Sequence, residues 1–304
     1  MISSAAPADR RSRLLPSLGV GVAAGLLGLL PWLLTGLRLP VQNLWAVEAL
    51  PEEMPLALLP LAPSSVTEIV SVIVTGSALA GLVARVGRSR GIGPLGAVLG
   101  AVGVQAVALV QSAVTVSGGL REGPNSGLYL GALVGGTVGA ILVGALLLVL
   151  IARAPRAGAA FAIALAVVAA GGWLTRVVAP LSADGSAPGL ALLNAVQWLP
   201  GILAGLALAW CGVLSVGRVV AWVASLAVLW AGPVLVTAVS AATNTRVLVR
   251  HPLEMLDYAQ AVFTSALMLP AVSLRTPGTA LVVAALGVAA LRAWHARRAA
   301  SPTE

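Results

Sequence analysis

No lysine occurs among the 304 residues, and cysteine and histidine are nearly missing: Cys211, His251 and His295 are all there is of them. Each shortage removes a class of chemistry. One cysteine inside an apolar run cannot close an intrachain disulfide or form a C-x-x-C redox pair. The phosphate-cradling G-x-x-x-x-G-K-[ST] loop and H-E-x-x-H are both absent. An intramembrane serine protease needs a base facing its serine, and no apolar run holds a histidine. A zinc site would rest on carboxylates and His251 alone. No catalytic residue, metal or cofactor is expected.

Charge is scarce as well, at 9% of residues, against 59% hydrophobic residues and a mean hydropathy of +1.00. Several apolar runs exceed the roughly 20 residues that cross a bilayer core of about 30 Å. The fold expected is all-α, a polytopic membrane bundle of eight spans. These are placed at about 14–36, 66–84, 94–117, 128–151, 158–180, 190–214, 219–241 and 278–294. Residues 1–13 and 295–304 form the tails, and the two longest connections, 37–65 and 242–277, are caps. Arg10, Arg11 and Arg13 before an apolar run also fit a signal peptide. That run continues through Pro31 and Trp32 to Gly36, which favours a retained span.

The arginines supply orientation. Arg10, Arg11, Arg13, Arg85, Arg88, Arg90, Arg153, Arg156, Arg218, Arg292, Arg297 and Arg298 fall on one side. Arg38, Arg121, Arg176, Arg246, Arg250 and Arg275 fall on the other. By the positive-inside rule both termini are expected to be cytoplasmic, in the cell (plasma) membrane. Scattered through loops, the arginines make no nucleic-acid footprint. Eight of the ten acids then lie outside: Glu48, Glu52, Glu53, Glu68, Glu122, Asp184, Glu254 and Asp257. Solvated loops explain this simply; a polar interaction face explains it too.

Within the second cap, 252–269 reads as an amphipathic helix on the outer surface. Met255, Ala259, Val262, Phe263, Ala266 and Leu267 recur at helical spacing, while Glu254, Asp257, Tyr258 and Ser265 fall elsewhere on the wheel. Pro252 suits the first turn. A ninth span here would carry the C-terminal arginines outside. The two caps echo each other, P-E-E-M at 51–54 and P-L-E-M at 252–255. In the first, Pro51 with Glu52 and Glu53 can start a short turn that Pro55 limits.

Glycines at helical spacing mark helix packing: Gly21, Gly25 and Gly28; Gly96, Gly100 and Gly103; Gly131, Gly135 and Gly139; Gly201 and Gly205. Pro31, Pro200 and Pro233 each remove a helix hydrogen bond and are expected to kink their spans. Polar residues gather at the outer ends: Glu68, Ser71 and Thr75 on one face of the second span, Arg176 in the fifth, Asn194 and Gln197 in the sixth. Glu68 and Arg176 are the costliest at membrane depth. Either they line an outward-facing cavity, as an ion pair, or both snorkel to the headgroups.

Arg38, Glu48, Glu52, Glu53, Glu68, Arg176, Asn194, Gln197, His251, Glu254 and Asp257 thus form the candidate cavity or partner surface. Three function classes follow. The first is a non-catalytic subunit or accessory protein, with membrane lipids, other membrane proteins or an ATPase subunit as partners. The second is a small transporter or lipid flippase, although no span centre carries the carboxylate that ion coupling generally uses. The third is an enzyme acting on a lipid-linked substrate. For that class the only link is positional, since Glu48, Glu52 and Glu53 are placed like the first-loop acids of membrane glycosyltransferases.

Overall fold

The computed structural model describes residues 8–183, 185–245 and 252–300. Asp184, Arg246, Arg250 and His251 lie outside the described residues. Helices dominate: α1 (Ala8–Leu34), α2 (Val66–Val86), α3 (Pro94–Gly119), α4 (Pro124–Arg153), α5 (Arg156–Val178), α6 (Ala187–Val196), α7 (Leu199–Cys211), α8 (Val216–Asn244), α9 (Pro252–Leu267), α10 (Pro270–Ser273) and α11 (Arg275–Ala300). Among the described residues, eight stretches are long and apolar enough to cross a membrane, one of them α6 and α7 taken together. The chain is a multi-pass membrane protein with an all-α bundle.

Helix ends follow local chemistry. α3 and α7 carry proline in the first turn, where the missing N–H costs nothing. Glu68 opens α2, complementing its N-terminal dipole. Arg85, in the last turn of α2, donates from Nη1 to the carbonyl of Ile151 at 2.6 Å, so one cation serves two helix C-termini.

Pro31 and Pro233 lie inside continuous helices, α1 and α8. Pro200 acts differently. The sixth span stops at Val196 and restarts at Leu199, leaving Gln197 and Trp198 as a turn between α6 and α7.

The chain divides into two compact units, Met1–Arg153 with Ser240–Met255, and Ala154–Val239 with Leu256–Glu304. In unit one, α2 packs against α1, α3 and α4, and α1 packs along α3. Alanines fill the seam: Ala24, Ala80, Ala84, Ala97 and Ala101 are buried together with Leu148 and Ala152. Backbones touch there, since a Cβ at Gly21 would strike the Ala97 carbonyl and one at Gly100 that of Leu18. Gln105 crosses the same interior, donating to the Ile73 carbonyl at 3.0 Å and to Ser77 Oγ at 3.1 Å.

Unit two is built around α7, between α5 and α11. Ala164, Val167, Ala204, Leu229 and Ala280 form one cluster, and Ala160, Leu208, Cys211 and Ala284 another. A Cβ at Gly201 would lie 2.7 Å from Thr279 Cβ, and one at Gly205 2.7 Å from the Ala280 carbonyl. Close approach of α7 to α11 therefore needs glycine at both positions.

The longest glycine stripe behaves otherwise. A Cβ at Gly131, Gly135 or Gly139 would meet nothing within 4 Å, and the same holds at Gly103. α4 turns instead on Leu133, Thr137, Ala140, Ile141 and Gly144, which are buried. Among the described residues this stripe meets no neighbour, and the spacing that marks a small face does not say which face is used.

Candidate functional site: the first cap

Residues 35–65 fold down into the end of unit one. Gly36 (φ 90°) and Leu37 (φ 60°) turn the chain off α1 through left-handed backbone. The two arms then pair briefly: Leu39 N–H donates to Pro55 O at 2.9 Å and Ala57 N–H to Leu37 O at 2.8 Å. Leu39, Met54, Ala57, Leu59, Leu61 and Ala62 are buried. The cap's leucines, suited on sequence to resting at the lipid interface, are in part protein core.

Five prolines, at 40, 51, 55, 60 and 63, deny this segment a helix, so its backbone must find partners elsewhere. Spans one and three supply them. Trp32 Nε1 donates to Ala57 O at 2.8 Å. Gln111 accepts from Leu58 N–H on Oε1 at 2.8 Å and donates from Nε2 to Leu56 O at 3.1 Å. Ser112 Oγ accepts from Leu59 N–H at 2.8 Å. Each of four consecutive residues of irregular backbone thus finds a partner for at least one of its groups, as such backbone must inside a membrane bundle.

Beyond this plug the cap rises into a loop. Trp45 lies over Gly119, where any Cβ would overlap the indole. Ala46 N–H donates to Gly119 O and Arg121 N–H to Leu44 O, both at 2.9 Å. Gln42 is buried, donating to Pro40 O at 2.7 Å and accepting from Tyr129 OH at 2.7 Å. The loop encloses an open cavity of about 840 Å³, lined by Gln42, Asn43, Trp45, Glu48, Glu53 and Arg121 among others.

The candidate residues separate into different roles. Arg38 donates from Nη1 to Met54 O at 3.1 Å and so clips the two arms of the cap together. Pro51–Glu53 forms a 3₁₀ turn, and Glu53 Oε2 accepts from Leu50 N–H at 2.9 Å, capping it. Glu48 and Glu52 are exposed, and Glu48 shares the cavity wall with Arg121. Among the described residues no three of His, Cys, Asp and Glu come together as metal ligands.

Glu68, Ser71 and Thr75 are buried on one face of α2 in unit one. Arg176 is exposed in unit two, and neither it nor Glu68 lines the cap cavity. Asn194 is exposed, whereas Gln197 is half-buried and bonded to Arg275. Glu254 and Asp257 are exposed on α9, whose half-buried residues include Met255, Ala259, Val262, Phe263, Ala266 and Leu267.

Sequence reasoning left Gln111, Ser112, Tyr129, Arg121 and Arg275 out of the candidate surface. A signal existed for the first two. Adjacent polar residues inside an apolar run need partners at membrane depth, and a proline-rich loop next door has backbone groups to offer. Compared with known protein families, curated proteins and solved structures, the chain matches none.

Proposed function

We propose that this chain is a non-catalytic subunit or accessory protein of a membrane complex, with the polar rim of the first cap as its interaction surface on the extracytoplasmic side. One observation carries this reading: the cap buries Leu39, Met54, Leu59 and Leu61 and pairs the backbone between them inside unit one, yet leaves Glu48, Glu52 and Arg121 exposed on a hydrogen-bonded frame. A preorganised polar rim loses little conformational freedom on binding. The arginine distribution supports cytoplasmic termini in the cell membrane and so an outward cap. The partner class is another membrane protein, or an ATPase subunit meeting the arginine-rich side. Native mass spectrometry after gentle extraction tests the reading. Wild type carries a co-extracted membrane protein, and Glu48→Gln with Glu52→Gln lowers its occupancy; a chain that runs alone and empty overturns it.

The interruption of the sixth span at Gln197 and Trp198 favours a second reading, a small transporter or lipid flippase, because broken helices recur at transport sites. Lipid scrambling in reconstituted vesicles decides it. A rate equal to that of protein-free vesicles removes the flippase.

A further inference from the structure

An arginine sits at the break in the sixth span. Arg275 opens α11 and donates from Nη1 to Gln197 Oε1 at 2.5 Å, bridging from α11 to the turn between α6 and α7. Its backbone is held in place, because Thr276, the next residue, lies against Gly201 at the start of α7. This is not the free, mobile arginine that reaches headgroups by stretching.

Its charge is poorly matched within the protein. A guanidinium has five N–H donors and no acceptor. One is used on a neutral amide, while Nε is buried with no hydrogen-bond partner. Asp257, the described acid of unit two, is exposed on α9, and no ion pair to Arg275 forms among the described residues. A half-enclosed cation at the end of a membrane span, with only an amide beside it, is costly until a counter-charge arrives.

We propose that Arg275 and Gln197 form a binding site for a phosphate oxyanion, the chemistry that a phospholipid headgroup presents at this depth. The planar fork of arginine matches two phosphate oxygens at once, which an ammonium does not. Gln197 spends its oxygen on Arg275 and keeps its Nε2 hydrogens for the ligand. Asn194, one turn earlier on α6, places a second amide on the same helix face. Trp198 is 45% exposed at the break, an aromatic suited to the headgroup boundary.

The test uses the full chain in detergent, titrated with phosphatidylglycerol and read by native mass spectrometry. Arg275→Gln weakens retention about tenfold, and Arg275→Lys, which keeps charge but loses the fork, falls between it and wild type. Gln197→Leu weakens retention by a smaller factor. Arg218→Gln, at an arginine in the first turn of α8, leaves it unchanged. Inorganic phosphate that displaces the lipid at millimolar concentration assigns the site to free phosphate; lipid retained against it assigns the headgroup. Wild-type retention in folded Arg275→Gln, with an unaltered thermal midpoint, overturns the site. Should that variant fail to fold, Arg275→Lys decides alone, and retention equal to wild type overturns the fork.

Discussion

The two caps carry the same P-x-E-M start and end in opposite states. In the first, Met54 is fully buried; in the second, Met255 is half-buried on a helix whose neighbours Leu253 and Leu256 are 76% and 64% exposed. Proline spacing accounts for the divergence. After Pro51 the first cap meets prolines again at 55, 60 and 63, so no helix can close its own hydrogen bonds. After Pro252 the second runs to Pro270 without interruption, and α9 satisfies its backbone internally. Irregular backbone has to be taken in by the protein, whereas a self-satisfied helix is free to lay an apolar face elsewhere. The shared motif sets a turn and nothing more.

The largest expected effect breaks the comparison at its core. Leu61 is 0% exposed. Leu61→Ala leaves a cavity where the cap enters unit one and costs about 2–5 kcal/mol. Leu256→Ala on α9 changes stability by no more than about 0.5 kcal/mol. Thermal unfolding of both variants in one detergent measures the contrast; equal midpoints would show that the first cap is not part of the core.

What the sequence disclosed divides along the same line. Spans declare themselves through length and hydropathy, and the half-buried residues of α9 are those the helical period selects, because a regular backbone repeats its environment. Pro200 announced a disturbance, and Gln197 and Trp198 are where it falls. The plug at 56–62 has no period, so nothing in its leucines distinguished core from interface. Gln111 and Ser112 signalled a need for partners but not their identity: these are backbone groups of a loop more than 50 residues away, which no helical wheel displays. Gly131, Gly135 and Gly139 show the converse, a regular stripe that meets no neighbour among the described residues.

A middle-sized effect concerns that clamp. Gln111→Ala strips the acceptor from Leu58 N–H and the donor from Leu56 O. Leu58 N–H, left unpaired in a half-buried position, costs about 1–3 kcal/mol, whereas Leu56 is exposed and its carbonyl turns to water. Hydrogen exchange sharpens the result, since amides 57–59 lose protection while those of α9 keep theirs. Ser112→Ala, which removes one partner from Leu59 N–H, gives the smaller version of the same change. Undiminished protection at 57–59 in Gln111→Ala would mean that the hydrogen bonds follow the fold of the cap rather than hold it.

The smallest effect lies in the environment of single side chains, where the caps differ in kind. With Cys211 replaced by alanine, Met54→Cys places a thiol in the plug and Met268→Cys one just after α9, where the methionine is 73% exposed. In detergent the second thiol reacts quickly with a water-soluble reagent, and the first waits on local opening of the cap. Transfer into lipid separates them again. An apolar α9 face meeting the bilayer slows labelling at 268, as apolar surface leaves water for the interface. The rate at 54 stays the same, because protein rather than lipid already covers it. If lipid slows both sites alike, the plug is open to the membrane in detergent. If lipid slows neither, α9 lays its apolar face on something other than the bilayer, and its exposed leucines then belong to a protein contact.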